Sequence, residues 1–159
     1  SFSKTFAMTG WRIGYIISTN VEAMKQVIKI QYYISACSND AMQYAVLEAM
    51  EKANDYPDMM AKEFQQRCDL IVDRLNAMPG VQCHRPKGSI YVFPKVDVDG
   101  MTSEEVALEL LKDGVLCSPG NAFGPSGEGH LRFAYTISQA DIARGMDKVE
   151  HTLKRLQQG

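Results

Sequence analysis

Ser1, Ser3, Lys4 and Arg12 fall within one short string, Ser1-Phe2-Ser3-Lys4-Thr5-Phe6-Ala7-Met8-Thr9-Gly10-Trp11-Arg12-Ile13-Gly14-Tyr15. A lysine amine, once deprotonated, forms a Schiff base with a carbonyl compound. Hydroxyls and a guanidinium suit a phosphate dianion, the arginine through a forked, charge-assisted contact. Gly10 and Gly14 bracket the arginine and let the backbone turn sharply or approach a ligand. A Schiff-base lysine beside a phosphate-binding set is what pyridoxal 5'-phosphate (PLP) requires of a protein. Ser1-Phe2-Ser3-Lys4 also fits S-x-x-K, a serine acyl-enzyme motif. That chemistry needs S-D-N and K-T-G strings, and the nearest here, Ser38-Asn39-Asp40 and Lys87-Gly88-Ser89, do not supply them.

A second signal lies far along the chain. Arg132 interrupts the otherwise apolar run His130-Leu131-Arg132-Phe133-Ala134-Tyr135, just after a glycine-rich stretch from Ser118 to Gly129. An arginine in an apolar strand is costly unless it is paired. Its fork is a natural receptor for an amino-acid carboxylate, and equally a partner for an Asp or Glu at a sheet edge. The residues alone leave both open.

The order S-x-S-K-x-F-x-M-x-G-W-R-x-G-Y resembles the lysine motif of the class I/II aminotransferases, PLP enzymes like aspartate aminotransferase. The later strings G-S-I-Y-V-F-P and P-G-x-x-F-G, followed by an arginine, are similar to further motifs of that family. The resemblance covers nearly the whole chain, but only the C-terminal part of a family member. It implies that Lys4 carries PLP, that Arg12 with Ser1 and Ser3 holds the phosphate, and that Arg132 binds the substrate α-carboxylate. Substrates would be an amino acid and a 2-oxo acid, and the assembly a homodimer. The implied fold is α/β: the C-terminal part of a fold-type-I PLP transferase, with a small mixed sheet packed with helices. Residues 1–55 would be the C-terminal remnant of the large PLP-binding domain and 56–159 the small C-terminal domain.

In that family the aspartate, asparagine, tyrosine and stacking aromatic that contact the cofactor ring all lie upstream of the lysine. The isolated chain is therefore expected to bind PLP weakly and to transaminate little. Some dicarboxylate-specific members carry an arginine near the segment matching Ser35 to Asp40, and no arginine stands there in this sequence. Two other readings stay open. One is another fold-type-I PLP enzyme: a lyase, decarboxylase or synthase. The other is a non-catalytic isolated domain.

Composition sets the frame. A chain of 159 residues can bury a core of its own, and 45% hydrophobic with 23% charged residues is ordinary for a globular protein. The net charge of −2 gives no reason to expect a nucleic acid or an anionic membrane as partner. Cys37, Cys68, Cys83 and Cys117 make no C-x-x-C pair, and His84, His130 and His151 are scattered, so no metal site is expected. Free thiols fit a reducing, cytoplasmic setting.

The elements that must position these groups follow from periodicity. Arg12 to Ser18 reads as a short buried strand. Asn20 can cap a helix carrying Val21, Met24, Val27 and Ile28 on one face. A second helix carries Met42, Ala45, Val46 and Ala49. A third, of about twenty residues, starts at Asp55-Tyr56-Pro57 and ends at Pro79-Gly80. Strands are expected at Val81 to His84, Ser89 to Pro94, Val115 to Cys117 and His130 to Tyr135. Thr102 with Glu105 predicts a capping box for a helix over Val106 to Leu111. Ser138 caps a last helix with Ile142, Met146, Val149, Leu153 and Leu156 in line.

Overall fold

The computed structural model describes residues 1–158 and divides the chain into two compact units, Ser1–Ala61 and Lys62–Gly159. The division falls inside one long helix.

The first unit opens with α1 (Phe2–Thr5), capped by the Ser1 hydroxyl, and a single 3-10 turn at Thr9–Trp11. Then come α2 (Val21–Ser35) and α3 (Asp40–Lys52), capped by Asn20 and Asn39 respectively, each side chain accepting from a backbone N–H of the first turn. Such caps satisfy donors that no helix can satisfy for itself. The buried centre of this unit is small: Phe2, Met8 and Val46, with Phe6, Ile13, Ala45 and Ala49 against them. Arg12 to Ser18 is not a strand. No ladder forms beside it among the described residues, and Tyr15, Ile16 and Ile17 are exposed. Its β-forming residues have the propensity, but a strand needs a neighbour to complete it.

The second unit contains most of α4 (Tyr56–Asn76), whose Cys68, Ile71, Val72 and Leu75 face the core. It continues through β1 (Val81–Gln82), β2 (Tyr91–Val92), β3 (Lys95–Val96), α5 (Ser103–Lys112), β4 (Ser118–Pro119), β5 (Leu131–Ala134) and α6 (Gln139–Leu156). β5 lies between β2 and β4, and β1 pairs with β3. The expected helices packed with a small sheet are present; among the described residues every ladder is antiparallel. Leu75, Leu110, Leu131, Val149 and Leu153 are almost wholly buried at the centre.

The strands are shorter than the periodicity placed them, and one does not form. Val115 to Cys117 forms no strand because the backbone there is already engaged. Gly114, at φ +81°, and Val115 donate back to Leu111 and Leu110 and close the end of α5. This is the two-bond helix stop that a left-handed glycine permits. The sheet resumes only at Ser118. The run Ser89 to Pro94 is shortened to Tyr91–Val92, since Pro94 has no N–H to give the ladder. The capping box at Thr102 and Glu105 forms as read, with both reciprocal bonds made.

Candidate functional site

The Lys4 segment folds back on itself through hydroxyl groups. Ser1 Oγ accepts from the Ser3 backbone N–H at 3.3 Å and donates to Ser3 Oγ at 3.1 Å. Thr9 Oγ1 donates to the Ser3 carbonyl at 3.0 Å, and Arg12 Nη1 donates to the Thr9 carbonyl at 2.9 Å. Arg12 itself sits in the left-handed region, at φ 52° and ψ 49°, a conformation a non-glycine residue holds only when its surroundings impose it. The backbone of Phe2 donates to Ile13, and Gly14 lies against Ser1, where an added Cβ would come 3.4 Å from the serine Cα. Ser1, Ser3 and Arg12 are thus drawn into one turn. Lys4 is exposed, and among the described residues its amine makes no hydrogen bond or ion pair.

Arg132 is built by the other unit. Along β5, Leu131 and Phe133 are buried while Arg132 and Ala134 point the other way, the period of two that a strand imposes. Arg132 stands opposite Ser118 in the β4–β5 register, and its Nη2 donates to the Ser118 hydroxyl at 3.1 Å. Its Cζ lies 4.5 Å from the ring centre of Tyr91 and 4.5 Å from that of Phe123. Tyr91 belongs to β2, one neighbour of β5, and Phe123 to the 3-10 turn that follows β4, the other neighbour. Among the described residues no Asp or Glu forms a salt bridge with Arg132. The sheet-edge ion pair, one of the two readings of this arginine, is absent.

The glycine-rich stretch Ser118 to Gly129 is more ordered than its composition suggests. It holds β4 and two 3-10 turns, Gly120–Phe123 and Pro125–Gly127. Glu128 closes it, accepting from the backbone N–H and the hydroxyl of Ser103 at the start of α5. These bonds hold the Glu128 carboxyl below the usual glutamate range.

Sequence reasoning named Ser1, Ser3, Lys4, Arg12 and Arg132. It missed Thr9, which joins the serine pair to Arg12. It also missed Ser118, Tyr91 and Phe123, which surround the Arg132 guanidinium. Phe123 stands inside the P-G-x-x-F-G string, and Tyr91 three positions before Pro94; both signals were visible, but not their meeting. Among the described residues no helix is long and apolar enough to cross a membrane, and no group of three or more His, Cys, Asp or Glu could hold a metal ion.

Comparison with known proteins bears on this arrangement. An aspartate aminotransferase of Pyrococcus horikoshii is 38% identical over 157 residues, which is 97% of this chain and 40% of that protein. An aromatic-amino-acid aminotransferase of Thermococcus litoralis is 35% identical over 156 residues, 96% of this chain and 40% of that protein. The crystal structure of an aromatic aminotransferase from Pyrococcus horikoshii superposes with a TM-score of 0.89 at 36% identity, over 97% of this chain and 41% of that one. The chain therefore spans about 40% of the length of the curated relatives it matches. Residues 1–149 match the family model described as "Aminotransferase class I and II", and the chain belongs to that family.

Proposed function

We propose that this chain is the part of a PLP-dependent aminotransferase that carries the cofactor lysine and the carboxylate arginine, in an enzyme moving an amino group between an amino acid and a 2-oxo acid. The observation that carries the reading is the turn at the N-terminus. There a lysine amine without a partner among the described residues follows two mutually bonded hydroxyls, and an arginine with four of its five donors uncommitted among those residues is folded onto the same turn. That donor set matches a phosphorylated aldehyde: hydroxyls and guanidinium for the phosphate, amine for the carbonyl carbon. PLP, when bound, supplies the electron sink that stabilises a carbanion at the substrate Cα.

The chain's own residues then have separate tasks. Lys4 would hold the cofactor, and its Nζ, when free, would take the proton from the substrate Cα as a general base. Arg12, Ser1 and Ser3 keep the phosphate end in place. Arg132 receives the α-carboxylate and so orients the Cα–H bond toward the base. Residues 1–55 would belong to the large domain and 56–159 to the small one. The break between the compact units, after Ala61 near the start of α4, lies close to that boundary and supports it. A homodimeric, cytoplasmic enzyme is part of the same proposal.

The test uses the full-length protein. Incubation with PLP, borohydride reduction and peptide mapping should place the label on Lys4, and Lys4→Met should carry none. Product analysis with an amino acid and 2-oxoglutarate should show glutamate and the matching 2-oxo acid. A label on another lysine, or release of carbon dioxide or ammonia without glutamate, would replace the reading with one of the other PLP chemistries.

A further inference from the structure

We propose that Phe123 and Ser118 are positioning residues for Arg132, holding its guanidinium in a set orientation before substrate arrives; this rests on the reading of Arg132 as the carboxylate receptor. The guanidinium lies close to two aromatic rings, Tyr91 and Phe123, each with its centre 4.5 Å from Cζ. One terminal nitrogen is committed to the Ser118 hydroxyl at 3.1 Å. The Phe123 ring is itself braced: Phe93 meets it edge-on at 6.0 Å and stacks on His130 at 5.2 Å. A guanidinium attracted to ring faces loses the freedom to swing on its long stem. Its remaining edge donors stay open, and among the described residues no carboxylate neutralises them.

A ligand must meet those donors in the guanidinium plane, which a flat carboxylate does with two parallel bonds. Ordering an arginine side chain costs free energy that a substrate would otherwise supply on binding. Here the rings and the hydroxyl have supplied it during folding. Phe123 is the more informative partner because it is itself 54% exposed. Burial of that ring within the unit does not explain a phenylalanine there. Contact with Arg132 does.

The experiment compares two substrates in the PLP-loaded full-length protein. One is whichever of L-phenylalanine, L-aspartate and L-alanine reacts fastest, and the other is its counterpart lacking the α-carboxylate: phenethylamine, β-alanine or ethylamine. In single half-reactions, Phe123→Leu and Ser118→Ala should each raise the KM for the amino acid by about 3- to 20-fold while kcat stays within about threefold. Phe123→Tyr should restore the KM, and the amine should react as in the unaltered protein. Equal losses with amino acid and amine would mean that Phe123 only supports the loop, and unchanged KM values would mean that the rings do not position Arg132; either overturns the proposal. Arg132→Leu separates the two levels. If it erases the preference for the carboxylate-bearing substrate while Phe123→Leu leaves that preference undiminished, the positioning proposal alone fails. If it leaves that preference intact, the assignment of Arg132 fails.

Discussion

The Glu128 carboxylate and the Ser103 hydroxyl meet at 2.8 Å, while the Ser103 backbone N–H donates to the same carboxylate oxygen at 2.6 Å. The Gly129 backbone N–H in turn donates to the serine hydroxyl at 2.8 Å. Ser103 is 3% exposed although it is the first residue of a helix. The pair ties the far end of the loop that carries Phe123 to the start of α5, where a negative charge is also favoured by the helix dipole.

Glu128 should make the stability of this unit pH-dependent on the acid side. Its carboxyl is held low by the Ser103 bonds and then by Gly129. A group whose folded value lies below its unfolded value stabilises the fold fully above the unfolded value, about 4.3 for a glutamate, and loses that stabilisation as pH falls through the folded value. Thermal melts from pH 7 down to about 3 should therefore steepen below about 4.3, and Glu128→Gln should flatten that part of the curve. Ser103→Ala, which removes a buried hydroxyl with two partners, should lower stability by about 1–2 kcal/mol in a denaturant titration at pH 7.

Gly120 and Gly127 face each other too closely for any side chain. A Cβ on Gly120 would run into the carbonyls of Gly127 and His130, and one on Gly127 into the backbone of Gly120. Backbone cannot swing aside as a long side chain can. Gly127→Ala should cost about 3 kcal/mol or more, above an ordinary overpacked site. It should also disturb the amide resonances of Asn121 to Phe123, whereas Gly124→Ala meets no neighbour and is opposed only by its positive φ. Comparable melting of the two variants would remove the steric argument.

The cysteines should react in a set order. Burial pushes the Cys83 thiol up to about 11, and likewise Cys117 to about 11. At pH 8 both are almost wholly protonated, so little of the reactive thiolate exists. Cys37 is exposed. Limited alkylation with iodoacetamide at pH 8, followed by mass mapping, should modify Cys37 first and leave Cys83 for the denatured chain. Early modification of Cys83 would show that its burial is not kept in solution.

Local patterns carried much of this protein. The caps at Asn20, Thr102 and Ser138, the core stripe of α6 and the Lys4 motif were all legible, because each depends on residues within a turn or two of one another. The roles proposed for Lys4 and Arg12 likewise rest on side-chain type, an amine and a guanidinium beside hydroxyls. The tertiary structure decided what depends on partners distant in sequence. Arg12 to Ser18 has strand-forming residues and no strand beside it; Val115 gives its N–H to a helix end, and only then does β4 begin. Arg132 could have met an acid or stood ready for one. The register that sets it against Ser118, and brings a ring from β2 and another from the turn after β4 to its guanidinium, lies in no single stretch of the chain, because strand pairing is settled by packing across the sheet and not by neighbours along it.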